Sequence, residues 1–193
     1  MGNANMISAI ILAAGKSTRM GQPKMLMPWG DTTVLGRVIQ TLQNSGVQEI
    51  VLVTNSILAS QIMHHEVRIT LNEGNEMLTS VQLGLQALKP SAQASLVCLG
   101  DQPQVEEGSV RSVCDAFLKR KSDLVVPSFQ MRRGHPWLIA RPLWDEILGM
   151  PAGSMRKFLN AHANEIEYVN VETASILQDL DTPEDYLKYK PSL

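Results

Sequence analysis

The amino-acid sequence predicts an α/β fold of the Rossmann-like type, with a doubly wound, mostly parallel β-sheet. Short β-type runs alternate with helical patterns along the chain, and this alternation is typical of such sheets. Two of the runs, Ala9–Leu12 and Ile50–Val53, are continuously apolar. Strands of this kind need cover on both faces of the sheet. We therefore expect helices to pack on both sides of it.

The individual elements follow from the local spacing of apolar residues. Val34–Gln43 has helical spacing because its apolar residues fall on one face, and Asn44–Gly46 then ends the helix. The predicted strands are Ile7–Leu12, Glu49–Thr54, Val67–Leu71, Leu96–Gly100, Leu124–Pro127, Trp137–Ala140 and Glu167–Val171. The predicted helices are Val34–Gln43, Thr79–Leu88, Val110–Leu118, Pro142–Leu148 and Met155–His162.

Length and composition limit the classes of protein to consider. The 193 residues, 44% hydrophobic and 19% charged, suit one domain over residues 1–193, with residues 1–5 as a flexible tail. A net charge of -2 gives no basic surface for nucleic acid or an anionic membrane. Met6–Leu12 is too short to span a bilayer and follows no basic segment, so we expect a cytoplasmic protein. Cys98 and Cys114 lie in apolar patterns, which predicts core residues rather than a disulfide or metal pair.

The loop after the first predicted strand, Leu12–Lys24, combines small residues with cations. Ala13, Ala14 and Gly15 permit close approach of the backbone to a ligand, and exposed N–H groups in such a turn bind anions. The loop also contains Lys16, Arg19 and Lys24. This composition suits a triphosphate, although a solvated surface turn remains an alternative reading of the spacing. Neither a Walker A loop nor a dinucleotide fingerprint has its required glycines here.

Two aspartates are candidates for holding a metal ion. Asp101 follows the apolar run Leu96–Gly100 directly, and ligands collect at the carboxyl ends of parallel strands. Magnesium prefers hard oxygen ligands, usually one or two carboxylates with phosphate oxygens and water. Asp181 lies in a C-terminal segment where Thr182 and Pro183 also make a good helix start. From the residues alone, turn formation and helix capping explain these two aspartates as well as metal binding does.

Leu12–Lys24, continued by Met25–Gly30 and Val34-Leu35, closely resembles the signature of the nucleotidyltransferases of the nucleotide-diphospho-sugar transferase fold. Among these it is most similar to the molybdenum-cofactor nucleotidyltransferases, the MobA-like NTP transferases. Asp101 in Gly-Asp-Gln-Pro and Asp181 in Asp-Leu-Asp-Thr-Pro-Glu-Asp match further motifs, in the family's order. The resemblance therefore covers nearly the whole chain.

The resemblance implies a role for particular residues. Asp101 and Asp181 would hold Mg²⁺, with Mn²⁺ as an alternative, and Asp179 would act indirectly on the same segment. Lys24, Arg19 and Asp101 would be the catalytic residues. The implied nucleotide contacts are Leu12, Ala13, Ala14, Gly15, Arg19, Lys24, Gly74, Asn75, Thr79, Ser80 and Gly100. Thr79 and Ser80 are also predicted to cap the helix that follows them.

The segment Gln130–Trp137 is the candidate for the acceptor end of the site. Arginine fits phosphate oxygens well, so Arg132 and Arg133 could hold the phosphate of an acceptor. The segment also resembles the region that borders the acceptor pocket in the molybdenum-cofactor relatives, and this implies acceptor contacts from Gln102, Arg133, Gly134 and His135. A solvated loop histidine is an equal alternative for His135. Downstream, only Arg156 remains of the relatives' Gly-Asp-x-Gly-Ala-Arg run, which leaves the acceptor open.

Taken together, the resemblance implies a metal-dependent transfer of a nucleoside monophosphate, with release of pyrophosphate. Ala13-Ala14 resembles the CTP-using branch, so CTP and a molybdopterin-type acceptor are the expected substrates. Two alternatives stay open: transfer to a sugar or polyol phosphate, and a cofactor-binding accessory protein without chemistry. Transient docking to a molybdoenzyme would accompany the expected function.

Overall fold

A computed structural model describes residues 6–15, 18–62, 67–74, 76–119, 122–151 and 153–191. Its strands are β1 (Met6–Ala13), β2 (Pro28–Trp29), β3 (Thr32–Thr33), β4 (Glu49–Thr54), β5 (Arg68–Leu71), β6 (Ala92–Leu99), β7 (Leu124–Phe129), β8 (Arg132–Arg133), β9 (Trp137–Ala140) and β10 (Ile166–Asn170). Its α-helices are α1 (Val34–Asn44), α2 (Ser56–Ala59), α3 (Met77–Ala87), α4 (Glu107–Leu118), α5 (Trp144–Gly149), α6 (Met155–Ala161) and α7 (Pro183–Tyr189). Each strand predicted from the sequence is present.

Eight of the described strands form one sheet, in the order β10-β7-β9-β6-β1-β4-β5, with β8 paired to β7. The central strand β1 runs parallel to both β4 and β6. Two strands of this sheet are antiparallel to their partners: β9 to both of its neighbours, β6 and β7, and β8 to β7. This topology confirms the predicted mostly parallel sheet. The strands β2 and β3 form a separate two-stranded hairpin that the sequence analysis did not identify.

The two faces of the sheet pack against different helices. Alternate residues of β1, such as Ile11, join a buried cluster with residues of α1 and α4. Ile10, on the opposite face, joins a second cluster with residues of α3, α5 and α6. Successive side chains of a strand point to opposite faces, so a strand covered on both sides is apolar at nearly every position. The prediction of helices on both faces is confirmed.

The starts of several helices differ from the predicted ones. The prediction that Thr79 and Ser80 cap a helix is wrong, because α3 begins at Met77 with Glu76 in the N-cap position. The Ser80 hydroxyl instead accepts a hydrogen bond of 2.8 Å from the side chain of Asn72. The first turn of α3 thus includes Met77 and Leu78, and Leu78 packs in the core. The helix α4 also begins earlier than predicted, three residues before Val110, because its first turn is polar and lies outside the apolar pattern.

The two cysteines and the lengths of the helices bear on expectations about the whole chain. Cys98 and Cys114 are both buried and free of disulfides, as predicted. Burial raises the pKa of the Cys114 thiol to about 12, which keeps this thiol protonated and unreactive near neutral pH. Among the described residues, no helix combines the length and the apolar character that crossing a bilayer requires.

His162 is expected to make the stability of the fold depend on pH. Its ring lies between Glu146, 3.0 Å from Nε2, and Glu165, 3.1 Å from Nδ1. Burial lowers the pKa of His162, but the two carboxylates outweigh burial and raise this pKa above its usual value. The stabilisation is therefore complete below about pH 6.5, the pKa of an unfolded-chain histidine, and is lost as pH rises through the higher folded pKa. We expect the melting temperature of the native protein to fall more than that of His162→Gln between about pH 6 and pH 8. Equal falls would contradict this role.

Candidate active site

The candidate site residues follow the ends of neighbouring strands at one edge of the sheet. Ala14 and Gly15 follow β1, Asn55 follows β4, and Asp101 comes shortly after β6. The antiparallel strand β9 begins at the same edge, because Trp137 pairs with Val97 near the end of β6. Parallel sheets bind ligands at this edge. Asp101 thus lies between the loop after β1 and the start of β9.

Lys24 joins the two predicted metal-binding aspartates. It lies in a short 3-10 turn, Lys24–Leu26, and is 9% exposed. Its Nζ atom is 2.5 Å from Asp101 Oδ2 and 3.6 Å from Asp181 Oδ1. The same Nζ donates a 3.0 Å hydrogen bond to the carbonyl oxygen of Leu180. Two carboxylates distant in sequence are therefore neighbours around a single ammonium group.

Asp181 has further partners that fix its position. Arg19 Nη2 lies 3.1 Å from Asp181 Oδ2, in an ion pair that is largely exposed. The Asp185 carboxylate accepts hydrogen bonds from the backbone N–H groups of Asp181 and Thr182. The Thr182 hydroxyl in turn accepts from the Asp185 N–H, so the predicted helix start at Thr182 forms a reciprocal capping box. Helix capping and the position of Asp181 beside Lys24 thus occur together.

Gln102 is engaged within the protein. It is 3% exposed, and its Nε2 donates a 2.7 Å hydrogen bond to Asp179 Oδ1. A contact of Gln102 with the acceptor stays a prediction. Burial, and then the negative charge of Asp101, raise the pKa of Asp179. The sequence analysis had no signal for this pair beyond the position of Gln102 next to Asp101.

Asp101 and Asp181 offer a donor set that fits magnesium or manganese bound together with a nucleotide. Among the described residues, no group of three or more His, Cys, Asp or Glu side chains is arranged to hold a metal ion. Two carboxylates suit a metal that keeps water and phosphate oxygens as its other ligands, but not a cage formed by protein alone. The half-exposed side chain of Asp181 leaves one side of the pair open to solvent.

A cleft of about 520 Å³, here called the β1 cleft, opens beside the loop after β1. Ala14 and Gly15, two of the predicted nucleotide contacts, line one side of it. The opposite side is formed by residues that the sequence analysis missed, namely Asn55, Ile57, Leu58, Gln61 and Glu73. They come from α2 and its surroundings, and a helix of four residues is too short to give a periodic signal.

The other predicted nucleotide contacts divide into three groups. Gly74 is exposed, and its N–H donates to the side chain of Asn72 at 2.9 Å, while Asn75 and Lys16 lie outside the described residues. Thr79 and Ser80 lie within α3 and are not among the described residues that line the β1 cleft. The third group is packed under the loop and consists of Leu12, Ala13 and Gly100.

Gly100 illustrates this packing role. Its N–H donates a 3.0 Å hydrogen bond to the Leu12 carbonyl, and a Cβ atom added at Gly100 would lie 3.2 Å from that oxygen. The missing side chain therefore allows the Asp101 turn to approach the loop after β1 closely. A direct contact of Gly100 with a nucleotide stays a prediction.

A second cleft of about 760 Å³, here called the β9 cleft, lies at the start of β9. Arg133 and His135, two of the predicted acceptor contacts, line it, and Arg156 joins them from α6. The Arg133 Nε atom donates a 2.7 Å hydrogen bond to the hydroxyl of Tyr168, which holds the guanidinium in place. Neither arginine forms an ion pair with any carboxylate among the described residues. Glu76 also lines the cleft, so two arginines face one carboxylate there, and this excess of positive charge favours an anionic ligand.

His135 is not the solvated loop histidine that the sequence left open. Its ring stacks on Trp137 at a centroid distance of 4.1 Å, and its Nε2 atom is enclosed by protein. Burial lowers the pKa of His135 to about 3, so the ring is neutral near pH 7. A group with this pKa is a poor proton acceptor at neutral pH. His135 therefore offers a flat surface rather than a catalytic base.

Gly134 is required by packing, and its replacement is expected to destabilise the fold. A Cβ atom at this position would lie 2.4 Å from the backbone oxygen of Ile176. We expect Gly134→Ala to lower the free energy of unfolding by about 1–3 kcal/mol, as overpacking generally does. The control is Gly108→Ala in α4, where nothing lies within 4 Å of the added atom. Denaturant unfolding should show an unchanged or more stable control, and equal stabilities for the two variants would contradict the packing role.

Residues 9–166 match the MobA-like NTP transferase domain family. The molybdenum cofactor cytidylyltransferase of Escherichia coli (strain K12) is 29% identical over 191 residues, which cover 95% of each chain. The nicotine blue oxidoreductase of Paenarthrobacter nicotinovorans is 27% identical and covers 95% of this chain and 97% of that protein.

Solved structures share the architecture as well. Rv0371c from Mycobacterium tuberculosis H37Rv superposes with a TM-score of 0.85 at 26% identity, over 96% of this chain and 97% of that one. A structure of Rv0371c in complex with manganese also matches, with a TM-score of 0.81 at 24% identity, over 98% of this chain and 100% of that one. The matched family covers most of the sheet and includes Lys24 and Asp101. This chain therefore belongs to the MobA-like NTP transferase family.

Proposed function

We propose that this chain, a nucleotidyltransferase related to enzymes of molybdenum cofactor biosynthesis, transfers CMP from CTP, with a divalent metal ion, to the phosphate of a molybdopterin-type acceptor and releases pyrophosphate. The observation that carries the proposal is the position of Lys24, Asp101 and Asp181. Asp101 follows β6, which lies between β1 and β9 in the sheet, and Lys24 and Asp181 lie beside it, so both substrates could meet there.

On the nucleotide side, the protein supplies positive charge and a backbone segment without bulky side chains. The small residues Ala14 and Gly15 let the backbone approach a bound nucleotide closely. Arg19 and Lys24 would neutralise the triphosphate, whose charge otherwise repels an anionic acceptor. Both cations pair with Asp181 in this structure, so they are already held at the site. Asp101 and Asp181 are the residues that would hold magnesium, and the metal would supply further neutralisation of phosphate oxygens.

On the acceptor side, the β9 cleft supplies Arg133 and Arg156 for a phosphate group. An acceptor phosphate is an anion and needs no deprotonation before it attacks the α-phosphorus. The neutral, enclosed His135 agrees with this, because no group near the β9 cleft has to act as a strong base. Catalysis would then consist of positioning and charge neutralisation.

Two observations support CTP over GTP. The loop after β1 contains Ala13-Ala14, which resembles the CTP-using branch, and the Escherichia coli relative is a cytidylyltransferase. Transfer to a sugar or polyol phosphate remains the first alternative, since the acceptor motif is only partly retained around Arg156. A cofactor-binding accessory protein without chemistry is the second alternative.

The test begins with the melting temperature in the presence of CTP, GTP, ATP or UTP, each with magnesium. A ligand at about 100 times its dissociation constant stabilises a fold by roughly 2.7 kcal/mol. We expect CTP to give the largest shift, and a larger shift with GTP would contradict the nucleotide assignment. Pyrophosphate release with a molybdopterin acceptor then tests turnover.

Pyrophosphate release also separates the alternatives. Release that requires a sugar or polyol phosphate would replace the acceptor, whereas binding without release would support an accessory protein. One relative is named as an oxidoreductase, so a redox activity is a further outcome that would overturn the transfer reaction. The Lys24, Asp101 and Asp181 cluster favours transfer, because its charges suit phosphate chemistry.

A further inference from the structure

We propose that Gln102 and Asp179 are positioning residues: their hydrogen bond locks the C-terminal segment that carries Asp181 against the turn that carries Asp101. The inference rests on the metal site of the proposed function and adds two residues to it. In this arrangement Asp179 is not itself a metal ligand.

The two halves of the site come from distant parts of the chain. Asp101 follows β6, whereas Asp181 lies just before α7, and the 179–181 segment belongs to neither element. The C-terminal segment must therefore be held to the sheet by side-chain and backbone contacts. Without them, the distance between the two carboxylates would vary, and a shared metal requires this distance to be fixed.

Three contacts hold the segment at this place. The Leu180 N–H donates to the Asp101 carbonyl at 3.1 Å, and the Leu180 carbonyl accepts from Lys24 Nζ at 3.0 Å. The third contact is the 2.7 Å hydrogen bond from Gln102 Nε2 to Asp179 Oδ1. Leu180 itself is fully buried in a cluster with Trp29. The side chains on either side of Leu180 thus have different partners: Asp179 accepts a hydrogen bond from Gln102, and Asp181 pairs with Lys24.

Burial makes the Gln102 contact specific. A buried amide loses its hydrogen bonds to water, so it favours the one segment position that offers an acceptor. Gln102 Nε2 also lies 3.4 Å from the Ile176 carbonyl, which draws the preceding part of the segment to the same side chain. The Oδ1 atom of Asp179 accepts from the amide of Gln102, whereas both oxygens of Asp181 lie beside cations, Oδ1 beside Lys24 and Oδ2 beside Arg19. This difference in partners assigns positioning to Asp179 and metal binding to Asp181.

The chain offers an isosteric exchange as a test. Glutamine and glutamate share one shape, and so do aspartate and asparagine, so Gln102→Glu with Asp179→Asn reverses donor and acceptor while keeping the net charge. Gln102→Glu alone places two carboxylates at the 2.7 Å contact and should push the segment away. Asp179→Asn alone keeps an oxygen that can accept from Gln102. Gln102→Met removes the donor at similar volume and serves as a second variant if Gln102→Glu does not fold.

The readout is the dissociation constant of Mn²⁺ measured by electron paramagnetic resonance in the presence of CTP and without acceptor. Residues that orient metal ligands contribute about 10- to 100-fold to metal affinity, so we expect a weakening of about 10-fold or more for Gln102→Glu and Gln102→Met. Asp179→Asn alone should stay within about threefold, and Gln102→Glu with Asp179→Asn should recover most of the affinity. Melting temperatures verify that each variant is folded.

Three results would overturn the inference. If Asp179→Asn weakens Mn²⁺ binding as much as Asp181→Asn, Asp179 is a ligand. If Gln102→Glu and Gln102→Met only lower the melting temperature, or the exchanged pair restores nothing, the contact is merely structural. Failure of the metal site itself is distinguishable, because Asp101→Asn and Asp181→Asn would then leave Mn²⁺ binding unchanged.

Discussion

Replacing Asp101 with asparagine is expected to lower kcat for pyrophosphate release by about 100- to 1,000-fold, the range found when one preorganised electrostatic group of an active site is removed. Asp101 is the more enclosed of the two carboxylates, with 17% of its side chain exposed against 43% for Asp181. Screening by water is therefore weaker at Asp101, and its charge acts more strongly on a bound metal and its phosphates. The amide of asparagine keeps the shape but removes that charge.

The measurement is the initial rate of pyrophosphate release as a function of metal concentration. Asp181→Asn should reduce kcat less, because its carboxylate is better hydrated. Asp115→Asn on the exposed side of α4 makes the same chemical change away from both clefts and should match the native rate. Full turnover of Asp101→Asn at saturating metal would remove Asp101 from the mechanism.

The sheet was predictable from the sequence because its strands are buried on both faces. A strand that is covered on both faces is apolar at nearly every position, and runs such as Ile50–Val53 have this pattern. In a parallel sheet, the residues just after the strands lie at one edge of the sheet. Because β1 and β6 are parallel neighbours, Asp101 lies beside the loop after β1, as this rule predicts. Helix starts were less predictable, since Glu107 at the start of α4 is not part of the apolar pattern.

The partners of the site residues were not predictable from the sequence. Gln102 follows Asp101 directly, and a sequence does not say whether its amide faces a ligand or the protein. The structure places it against Asp179, through a contact between residues distant in the chain. In the same way, only the folded structure shows that β9 is antiparallel and that its first residues, beside His135, border the β9 cleft.

Removing the charge of Lys24 should have two opposite effects, which makes Lys24→Met a sharper test than loss of activity alone. The first effect is on turnover. When the ammonium group of Lys24 is removed, the triphosphate is less well neutralised. We therefore expect kcat/KM to fall by about 100-fold or more. Lys119→Met at the exposed end of α4 removes the same charge elsewhere and should leave turnover unchanged.

The second effect of Lys24→Met is on the binding of metal alone. The ammonium group lies between Asp101 and Asp181 and therefore competes with a divalent cation for their charge. Two unit charges 4 Å apart interact by about 4 kcal/mol at an effective dielectric constant of about 20, and a tenfold change in affinity needs only about 1.4 kcal/mol. We therefore expect Mn²⁺ without nucleotide to bind Lys24→Met at least about tenfold more tightly than the native protein. Mn²⁺ should also raise the melting temperature of Lys24→Met more than that of the native protein.

These opposite signs separate the proposed arrangement from a general loss of structure. A variant that was merely misfolded would lose both turnover and Mn²⁺ affinity, whereas Lys24→Met should lose the first and gain the second. Weaker or unchanged Mn²⁺ binding in a folded Lys24→Met protein would mean that Asp101 and Asp181 do not share a cation site. Tighter binding would show that Lys24 neutralises these carboxylates before the substrates arrive, and that the nucleotide's phosphates must draw it away from them.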